Sequence, residues 1–533
     1  MGNVRILDCT LRDGGRIIDC RFHDEVIREI ARSLADANIE IVEVGFLRGE
    51  NLVEYKGNST FFTNVSQIDP FIPLKHNVIF TAFIDFEMYD FSKLETCRED
   101  SVTGLRVGFT KKQFTDKRAE LRRCLLKVKE QGYRLFMQGV NTLAYSDREL
   151  LEMIDFANEI EPYSFGIVDT YGAMYLDDIV HCYNMTDHNL NDSICIDIHS
   201  HNNFQLSFAF AQQIVSLADN RSIILDATLN GMGKCAGNLN TELIADYLTR
   251  KKNHDYDVDA ILDIIDRYLY PLKTNNEWGY SIPAFMAGIY KAHPNNIIWL
   301  TEKYRLNSKD IKYIISGIDE NIRQRYDYDN IQRIYKNYCE NRVDDTDVID
   351  RLSVELCGYR VLVIAPGRSV MTCRQKITEY IQSNEVKIIC VNFVPKEIKP
   401  DYLFYANTIH WEKVSKTVEH AMCIVSSNVH TDIRGVNLVD YASLIEEDSI
   451  LYDNSTIMLL NLLKKLKVNE IMLAGFDGLK KGEENYVDST FPKQNATLGI
   501  DETNKEIKKL ISQYKAKTIG KININFLTPS IYA

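Results

Sequence analysis

Short apolar runs and amphipathic stretches alternate along the first 250 residues. The runs VRILDC (4–9), IEIVEVGF (39–46), NVIFTAFID (77–85), GLRVGF (104–109), YRLFMQGV (133–140), YSFGIVD (163–169), ICIDIHS (194–200) and SIILDAT (222–228) are rich in Val, Ile and Phe, as buried parallel strands are. Patterns of helical period, such as DEVIREIARSLADAN, DKRAELRRCLLKVKEQ and DRELLEMIDFANEI, lie between several of them with acids near their starts. Eight strands, most followed by a helix, within about 250 residues predict a (β/α)8 TIM barrel over 1–250 rather than an open sheet. Residues 251–345 are helical and charged, and are predicted as a helical extension of the barrel. A second alternation begins at YRVLVIAPGRSV (359–370) and continues through VKIICVNF, AMCIVSSNV, NEIMLAGFDG and INFLTP. It predicts a Rossmann-like α/β domain over 355–533 with an open, mostly parallel sheet. Residues 341–358 read as the linker.

Composition narrows the class. Of 533 residues, 45% are hydrophobic and 26% charged, which are globular values. The 75 acids against 62 bases give a net charge of −13. That balance argues against a general nucleic-acid or anionic-membrane binder. No apolar run approaches the roughly 18 residues of a membrane span, and MGNVRILDCTLRDGG has no basic-then-apolar leader. The 12 cysteines form no C-x-x-C pair, so reduced thiols and a cytoplasmic location are expected.

Polar groups gather at the predicted carboxyl ends of the barrel strands, where such barrels keep their chemistry. Strand one runs out into Arg12 and Asp13. Strand two carries Glu43 within IVEVGF. Strand seven ends in His199-Ser200-His201, whose two imidazoles share a face because strand side chains alternate. Strand eight leads into NGMGKCAGN, which delivers Asn238. Two imidazoles, a carboxylate and an amide carbonyl could hold a divalent cation, with Mn²⁺ the first expectation and Mg²⁺, Co²⁺ or Zn²⁺ equally compatible with the donor set. Open positions would suit a substrate chelating through two oxygens, as a 2-oxo acid does. Each piece has a plainer reading: H-x-H as two surface or core histidines, Arg12–Asp13 as a loop salt bridge, Glu43 as the structural partner of a barrel arginine, the glycines as a tight turn. Their convergence at one end of different strands favours chemistry. Gln138 and Tyr145 after strand five, and Asp169 and Thr170 after strand six, are candidates for substrate contacts.

The motifs LDCTLRDGG, VEVGF, VDTYG, HSHNNFQLSFAFA and DATLNGMGKCAGN, in this order over roughly residues 3–300, resemble the DRE-TIM metallolyase superfamily. That group includes 4-hydroxy-2-oxoacid aldolases, 3-hydroxy-3-methylglutaryl-CoA lyase, and isopropylmalate and homocitrate synthases. The resemblance implies that Asp13, His199 and His201 bind the metal, with Asn238 nearby or as a further ligand. It implies that Arg12 stabilises an enolate and that Glu43 is the family's glutamate. H-x-H-N-N-x-x-L and AGIY (287–290) look most like the aldolases, whose characteristic tyrosine maps to Tyr290. Arg12, Glu43 and Tyr290 are thus the expected catalytic residues. The aldolases place a histidine three residues after the metal aspartate, and the synthases and the lyase a glutamine; here the residue is Arg16. This departure leaves the proton-transfer group open, with His293 in KAHP one candidate, and suggests a substrate bearing a carboxylate or phosphate. Arg16, Gln138 and Thr170 are the expected substrate contacts. Cys235 lies in the loop of the CoA lyase's catalytic cysteine, but closer to Asn238, so that role is not carried over.

In the second domain, VLVIAPGRS sets a glycine between strand and helix without a complete G-x-G-x-x-G or a Walker lysine. VLVIAPGRS, CVNF, NSTIMLLNLL and EIMLAGFDG resemble, more loosely and over about 355–480, motility accessory factor glycosyltransferases and bacterial CMP-sialic-acid-dependent sialyltransferases. That likeness implies a nucleotide-sugar pocket near Gly367, Ser369, Asn392 and Asn454. His430 and Asp477 are too isolated to assign. The whole reads as a metal-dependent aldolase or lyase that breaks or forms a C–C bond beside a 2-oxo acid through a metal-bound enolate, in surface polysaccharide biosynthesis. The alternatives are a Claisen-type acyltransferase and an inactive barrel serving as scaffold. The implied partners are a 2-oxo acid, an aldehyde and a nucleotide sugar, and the chain is expected to form a homo-oligomer.

Overall fold

The computed structural model describes residues 3–533 apart from 74–76, 305–307, 325–327, 447–448, 450, 452 and 488–498. The chain divides into two compact units, Met1–Ile298 with Ile315–Tyr326, and Trp299–Ile314 with Asp327–Ala533.

In the first unit eight parallel strands close into a barrel: β1 (Val4–Asp8), β2 (Ile41–Leu47), β3 (Ile79–Asp85), β4 (Gly104–Phe109), β5 (Arg134–Gly139), β6 (Ser164–Asp169), β7 (Cys195–Ser200) and β8 (Ile223–Ala227). Closure comes from β1, which pairs with β2 through Leu7–Ile41 and with β8 through Val4–Ile223. The apolar runs are strands because both faces are covered; every residue of β2 and β4 is buried. The intervening helices bury one stripe each. Asp24–Asp36 buries Ile27, Ile30, Ala31 and Leu34, and starts on Asp24 and Glu25, whose charges suit a helix N-terminus. Asp147–Ile160 begins in a capping box between Ser146 and Glu149. Strand β2 carries a bulge between Glu43 and Gly45 and pairs on one side with a two-residue strand, Phe61–Phe62, too short to be legible in the sequence. The helices Val258–Ile264 and Ile282–Ile289 follow the barrel, and Ile261, Ile264, Leu269 and Trp278 join its core. Gly288 of the AGIY motif is small for a local reason: a Cβ there would lie 2.7 Å from the Phe204 ring and 3.0 Å from the Gly172 carbonyl.

The second unit has a seven-stranded, fully parallel sheet: β9 (Arg360–Ile364), β10 (Val386–Val391), β11 (Tyr402–Tyr405), β12 (Cys423–Ser426), β13 (Asn437–Val439), β14 (Glu470–Ala474) and β15 (Asn523–Phe526). The order is β13-β12-β11-β10-β9-β14-β15. The chain leaves β9 toward β10 on one side and later returns to β14 on the other, so the direction of winding switches between β9 and β14, where such sheets open a crevice. Strands β11 and β13 have four and three residues and carry no run long enough to predict. Residues 341–358, expected as a linker, instead contain the helix Thr346–Leu356, with Leu352 and Leu356 buried in the second core. Among the described residues no helix is long and apolar enough to cross a membrane.

Candidate metal centre and active site

The carboxyl end of the barrel holds a cavity of about 250 Å³ whose wall includes Arg12, Asp13, Arg16, His199 and His201. One carboxylate oxygen of Asp13 and one ring nitrogen each of His199 and His201 lie within 4.8 Å of one another. Asn238 joins them through backbone pairing with His201, and its Nδ2 donates to Asp13 Oδ2 at 3.0 Å. Its Oδ1 is buried with no hydrogen-bond partner among the described residues, an arrangement that costs free energy unless a ligand meets it. One carboxylate, two imidazoles and an orphaned amide oxygen fit a divalent cation.

Protonation also fits. Burial raises the Asp13 pKa, but Arg12, His201, His199 and Arg16 outweigh it and hold the carboxyl well below its usual range. Burial, opposed by Asp13, pushes His201 down to about 4. Both groups therefore present lone pairs at neutral pH. His199 is set by a second carboxylate: its Nδ1 lies 2.8 Å from Asp226 Oδ2, which leaves Nε2 for a ligand.

Beneath these groups runs a buried ion network. Arg12 Nε donates to Glu43 Oε2 at 2.5 Å, and Arg12 NH1 to Asp13 Oδ1 at 2.7 Å. Glu43 Oε2 also accepts from Arg106 NH1 at 3.1 Å. The other amino group of Arg106 meets Asp226 closely and Asp197 at 3.3 Å, and Gln138 Nε2 donates to Asp197 at 2.6 Å. Asp13, Arg12, Glu43, Arg106, Asp226 and His199 thus form one continuous chain of contacts. Burial and the Asp226 charge push Asp197 well above the usual carboxylate range. Burial would raise Asp226 too, but Arg106 and His199 hold it low. Glu43 is therefore the partner of a barrel arginine, Arg106, and also fixes the Arg12 guanidinium.

Arg106, Asp197 and Asp226 were missed as site residues. The available signal was a charged residue inside each of the runs GLRVGF, ICIDIHS and SIILDAT. Gln138 and Thr170 line the cavity, whereas Tyr145 and Asp169 are not among its lining residues. Asp169 instead accepts the backbone N–H groups of Ala173 and Met174, and burial lifts it to about 7. Tyr290 also lies off the wall: it caps the helix Ile282–Ile289, and the lining residues from its neighbourhood are His293 and Pro294. Cys235 stays off the wall as well, and burial pushes its thiol up to about 12, far from a reactive thiolate.

In the second unit, a cavity of about 240 Å³ opens at the carboxyl ends of β9 and β14, and Gly367, Asn392, Asn454, Asp453 and Asp477 line it. The expected phosphate cradle is filled by the chain itself. Asp477 accepts the Ser369 N–H at 2.6 Å and meets its hydroxyl closely. A Cβ on Gly367 would lie 2.3 Å from the Gly475 carbonyl and 2.8 Å from Asp477 Cγ. The glycine thus serves the approach of two strand-to-helix turns, and Ser369 is not a lining residue. Asn454 caps the helix Ser455–Lys465, and Asn392 Nδ2 donates to Ser455 Oγ at 2.9 Å.

Residues 106–267 match the family model described as HMGL-like. A 4-hydroxy-2-oxovalerate aldolase from Geobacillus genomosp. 3 is 23% identical over 278 residues, 50% of this chain and 77% of that protein. Another, from Pelotomaculum thermopropionicum, is 24% identical over 320 residues, 58% of this chain and 89% of that protein. A 2-isopropylmalate synthase from Geobacillus sp. (strain Y412MC10) is 22% identical over 273 residues, 47% of this chain and 49% of that protein. In its closed parallel barrel and HMGL-like sequence, the first unit of this chain resembles the DRE-TIM metallolyase superfamily of lyases and synthases, whose enzymes use a divalent metal.

Proposed function

We propose that the barrel is a divalent-metal-dependent aldolase acting on a 4-hydroxy-2-oxo acid, in cleavage or synthesis. The observation that carries this reading is the convergence of Asp13, His199 and His201 on one cavity that Arg12 also lines. A divalent cation held by these three residues, with Asn238 Oδ1 beside them, would supply a Lewis acid for the 2-oxo carbonyl. Mn²⁺ is the ion we expect.

The chain's own groups account for the rest. Two arms of the Arg12 guanidinium are engaged by Glu43 and Asp13, and NH2 has no partner among the described residues. That amino group can stabilise the oxyanion of an enolate in the cavity that Arg12 lines. In cleavage, a base takes the proton of the 4-hydroxyl and the C3–C4 bond breaks. Its electron pair passes into the enolate of the 2-oxo acid, C4 departs as an aldehyde, and C3 then takes up a proton. His293 is our candidate for the base: it lies on the cavity wall, and burial followed by Lys234 and Arg16 pushes it down to about 4, so the ring is neutral at pH 7. Its Nδ1 accepts the Asn295 N–H at 3.2 Å, a bond that proton transfer to that nitrogen would displace.

A screen of 4-hydroxy-2-oxo acids for pyruvate release, with Asp13→Asn as control, tests the proposal. Release that is dependent on divalent metal and abolished in the variant is expected; metal-independent release, or none across the screen, refutes it. Relatives named as synthases keep a Claisen-type transfer in view, and appearance of free thiol from acetyl-CoA with a 2-oxo acid would favour it.

For the second unit we propose ligand binding at the crevice beside β9 and β14, with a nucleotide sugar as the class to test and polysaccharide assembly as the setting. Asp453, Asn392 and Asn485 offer polar groups for sugar hydroxyls, while an adjoining hollow shares Asn392 and His410 and adds Arg374, Lys396 and Lys413 for phosphate. A thermal-shift screen of CMP, UDP and GDP sugars checks this; no shift with any would remove it.

A further inference from the structure

We infer that the aldehyde half of the substrate carries a negatively charged group, a carboxylate or a phosphate, bound by Arg16 and Lys234 on the wall of the barrel cavity. The inference rests on the aldolase reading above.

Both side chains line the cavity that Asp13 and His201 line. Neither charge has a carboxylate to itself there. Arg16 reaches Asp13 with Nε at 3.4 Å, but Asp13 Oδ1 already accepts from Arg12 at 2.7 Å and Oδ2 from Asn238 at 3.0 Å. The two terminal amino groups of Arg16 have no partner among the described residues, and its guanidinium rests 4.8 Å from the centroid of the Phe46 ring. Asp85, the second carboxylate on the wall, is paired with Arg48. Lys234 Nζ has one distant neighbour, Asn295 Oδ1 at 3.5 Å, and no carboxylate within ion-pair distance among the described residues. Glu277 borders a hollow on the far side of the same two cations without pairing to either.

The energetics agree with this geometry. Burial first, and Arg16 second, lower the Lys234 pKa and outweigh the opposing pull of Asp13 and Asp19. His293 is depressed by burial, Lys234 and Arg16 in the same way, so three basic groups face one space. A bound cation at Asp13 would add to the positive field. In a chain of net charge −13, such a local excess focuses anions.

The position is also fixed by the fold. The Lys234 carbonyl accepts the Gly237 N–H at 3.0 Å, within a turn that uses positive φ at Cys235 and Gly237. Trp278 Nε1 donates to the Asn230 carbonyl at 2.9 Å and ties down the start of the same loop. The backbone that carries Lys234 is thus held by a defined turn. A neutral short-chain aldehyde would leave the terminal amino groups of Arg16 and the Lys234 ammonium without an anion of their own, whereas an anionic one gives each a charge-assisted hydrogen bond.

The test uses the full chain loaded with Mn²⁺. Deuterium exchange into the pyruvate methyl group, followed by ¹H NMR in D₂O, reports enolate formation without any aldehyde. Aldol addition to pyruvate is then compared for succinic semialdehyde against butanal, and for glyceraldehyde 3-phosphate against glyceraldehyde. We expect kcat/KM at least about tenfold higher for one anionic member, the scale of a hydrogen bond to a charged group, and the better pair tells carboxylate from phosphate. Lys234→Ala should bring that ratio close to one, and Lys234→Arg should preserve it. In parallel, calorimetric titration of the full chain without added metal by succinate and by inorganic phosphate should show binding that Lys234→Ala weakens about tenfold. Exchange with equal use of neutral and charged aldehydes overturns the inference and leaves the aldolase reading standing. Absence of exchange overturns the aldolase reading, and the anion titration then decides the cationic site: failure of either anion to bind, or equal binding by Lys234→Ala, sinks it.

Discussion

Asp226 touches no substrate in the proposed reaction, yet replacing it should disable the metal centre. Its Oδ2 lies 2.8 Å from His199 Nδ1 and also meets Arg106. In Asp226→Asn the carboxylate that fixes the His199 ring and raises its basicity is gone. Loss of such a carboxylate behind a metal-binding histidine weakens metal affinity about 10- to 100-fold, or about 1.4 to 2.7 kcal/mol. Stability should fall less than a broken buried ion pair implies. Removing one partner of such a pair costs about 3 to 5 kcal/mol, but here Asp197 stands 3.3 Å from the same guanidinium. Burial first and the Asp226 charge second push Asp197 up, so removing that charge favours the ionised form of Asp197, which can take over part of the pairing. We expect a loss of about 2 kcal/mol, within the common range for point substitutions. Calorimetric titration of metal-depleted protein with Mn²⁺ measures the first effect and urea denaturation the second. A folded Asp226→Asn variant that binds Mn²⁺ as tightly as the parent would show that His199 is not a ligand held in this way.

Three further outcomes follow from the same geometry. His293→Gln should lower kcat by about 100-fold with a small change in KM, as expected for loss of a general base, and steady-state kinetics with unchanged kcat would exclude His293 from proton transfer. For His201, burial takes the pKa from 6.5 to about 4 on folding. Between those values the unfolded chain binds more protons, so stability falls as pH drops from about 6.5 to 4. At about 1.4 kcal/mol per pH unit this amounts to about 3 kcal/mol; urea titrations of metal-depleted protein across that window should show it, and His201→Gln should lack it. Gly237→Ala should cost about 1 to 3 kcal/mol and weaken Mn²⁺ binding, because φ there is +76° and the new Cβ would sit 1.9 Å from the Gly231 carbonyl; a thermal melt matching the parent would contradict this.

The barrel was legible because its strands are continuous apolar runs, and a run such as IVEVGF reads as buried whichever way it faces. The same property hid much of the site. When both faces of a strand are covered, alternation no longer says which side points inward, so Arg106, Asp197 and Asp226 looked like isolated exceptions within apolar runs. His199 and His201 were readable because they stand at a strand end, where spacing of two fixes a common face, and Asp13 because it follows the first strand in the motif LDCTLRDGG. Tyr290 and Lys234 depend on helix ends and on a positive-φ turn, and neither leaves a periodic trace. In the second domain the glycine in VLVIAPGRS was visible, but its reason, an aspartate 110 residues later filling the turn, was a tertiary fact.

The network from Asp13 to His199 is anchored on five different strands or their ends, with no long loop among its members. Seating an ion between its two termini would turn an open relay into a closed circuit, so strain at any member would be shared by all. The surrounding βα loops are then free to vary in length and to breathe as substrates enter, while the catalytic platform keeps its dimensions. On the aldolase reading proposed above, selectivity among aldehydes would be rewritten at positions such as Lys234, which lies outside this network.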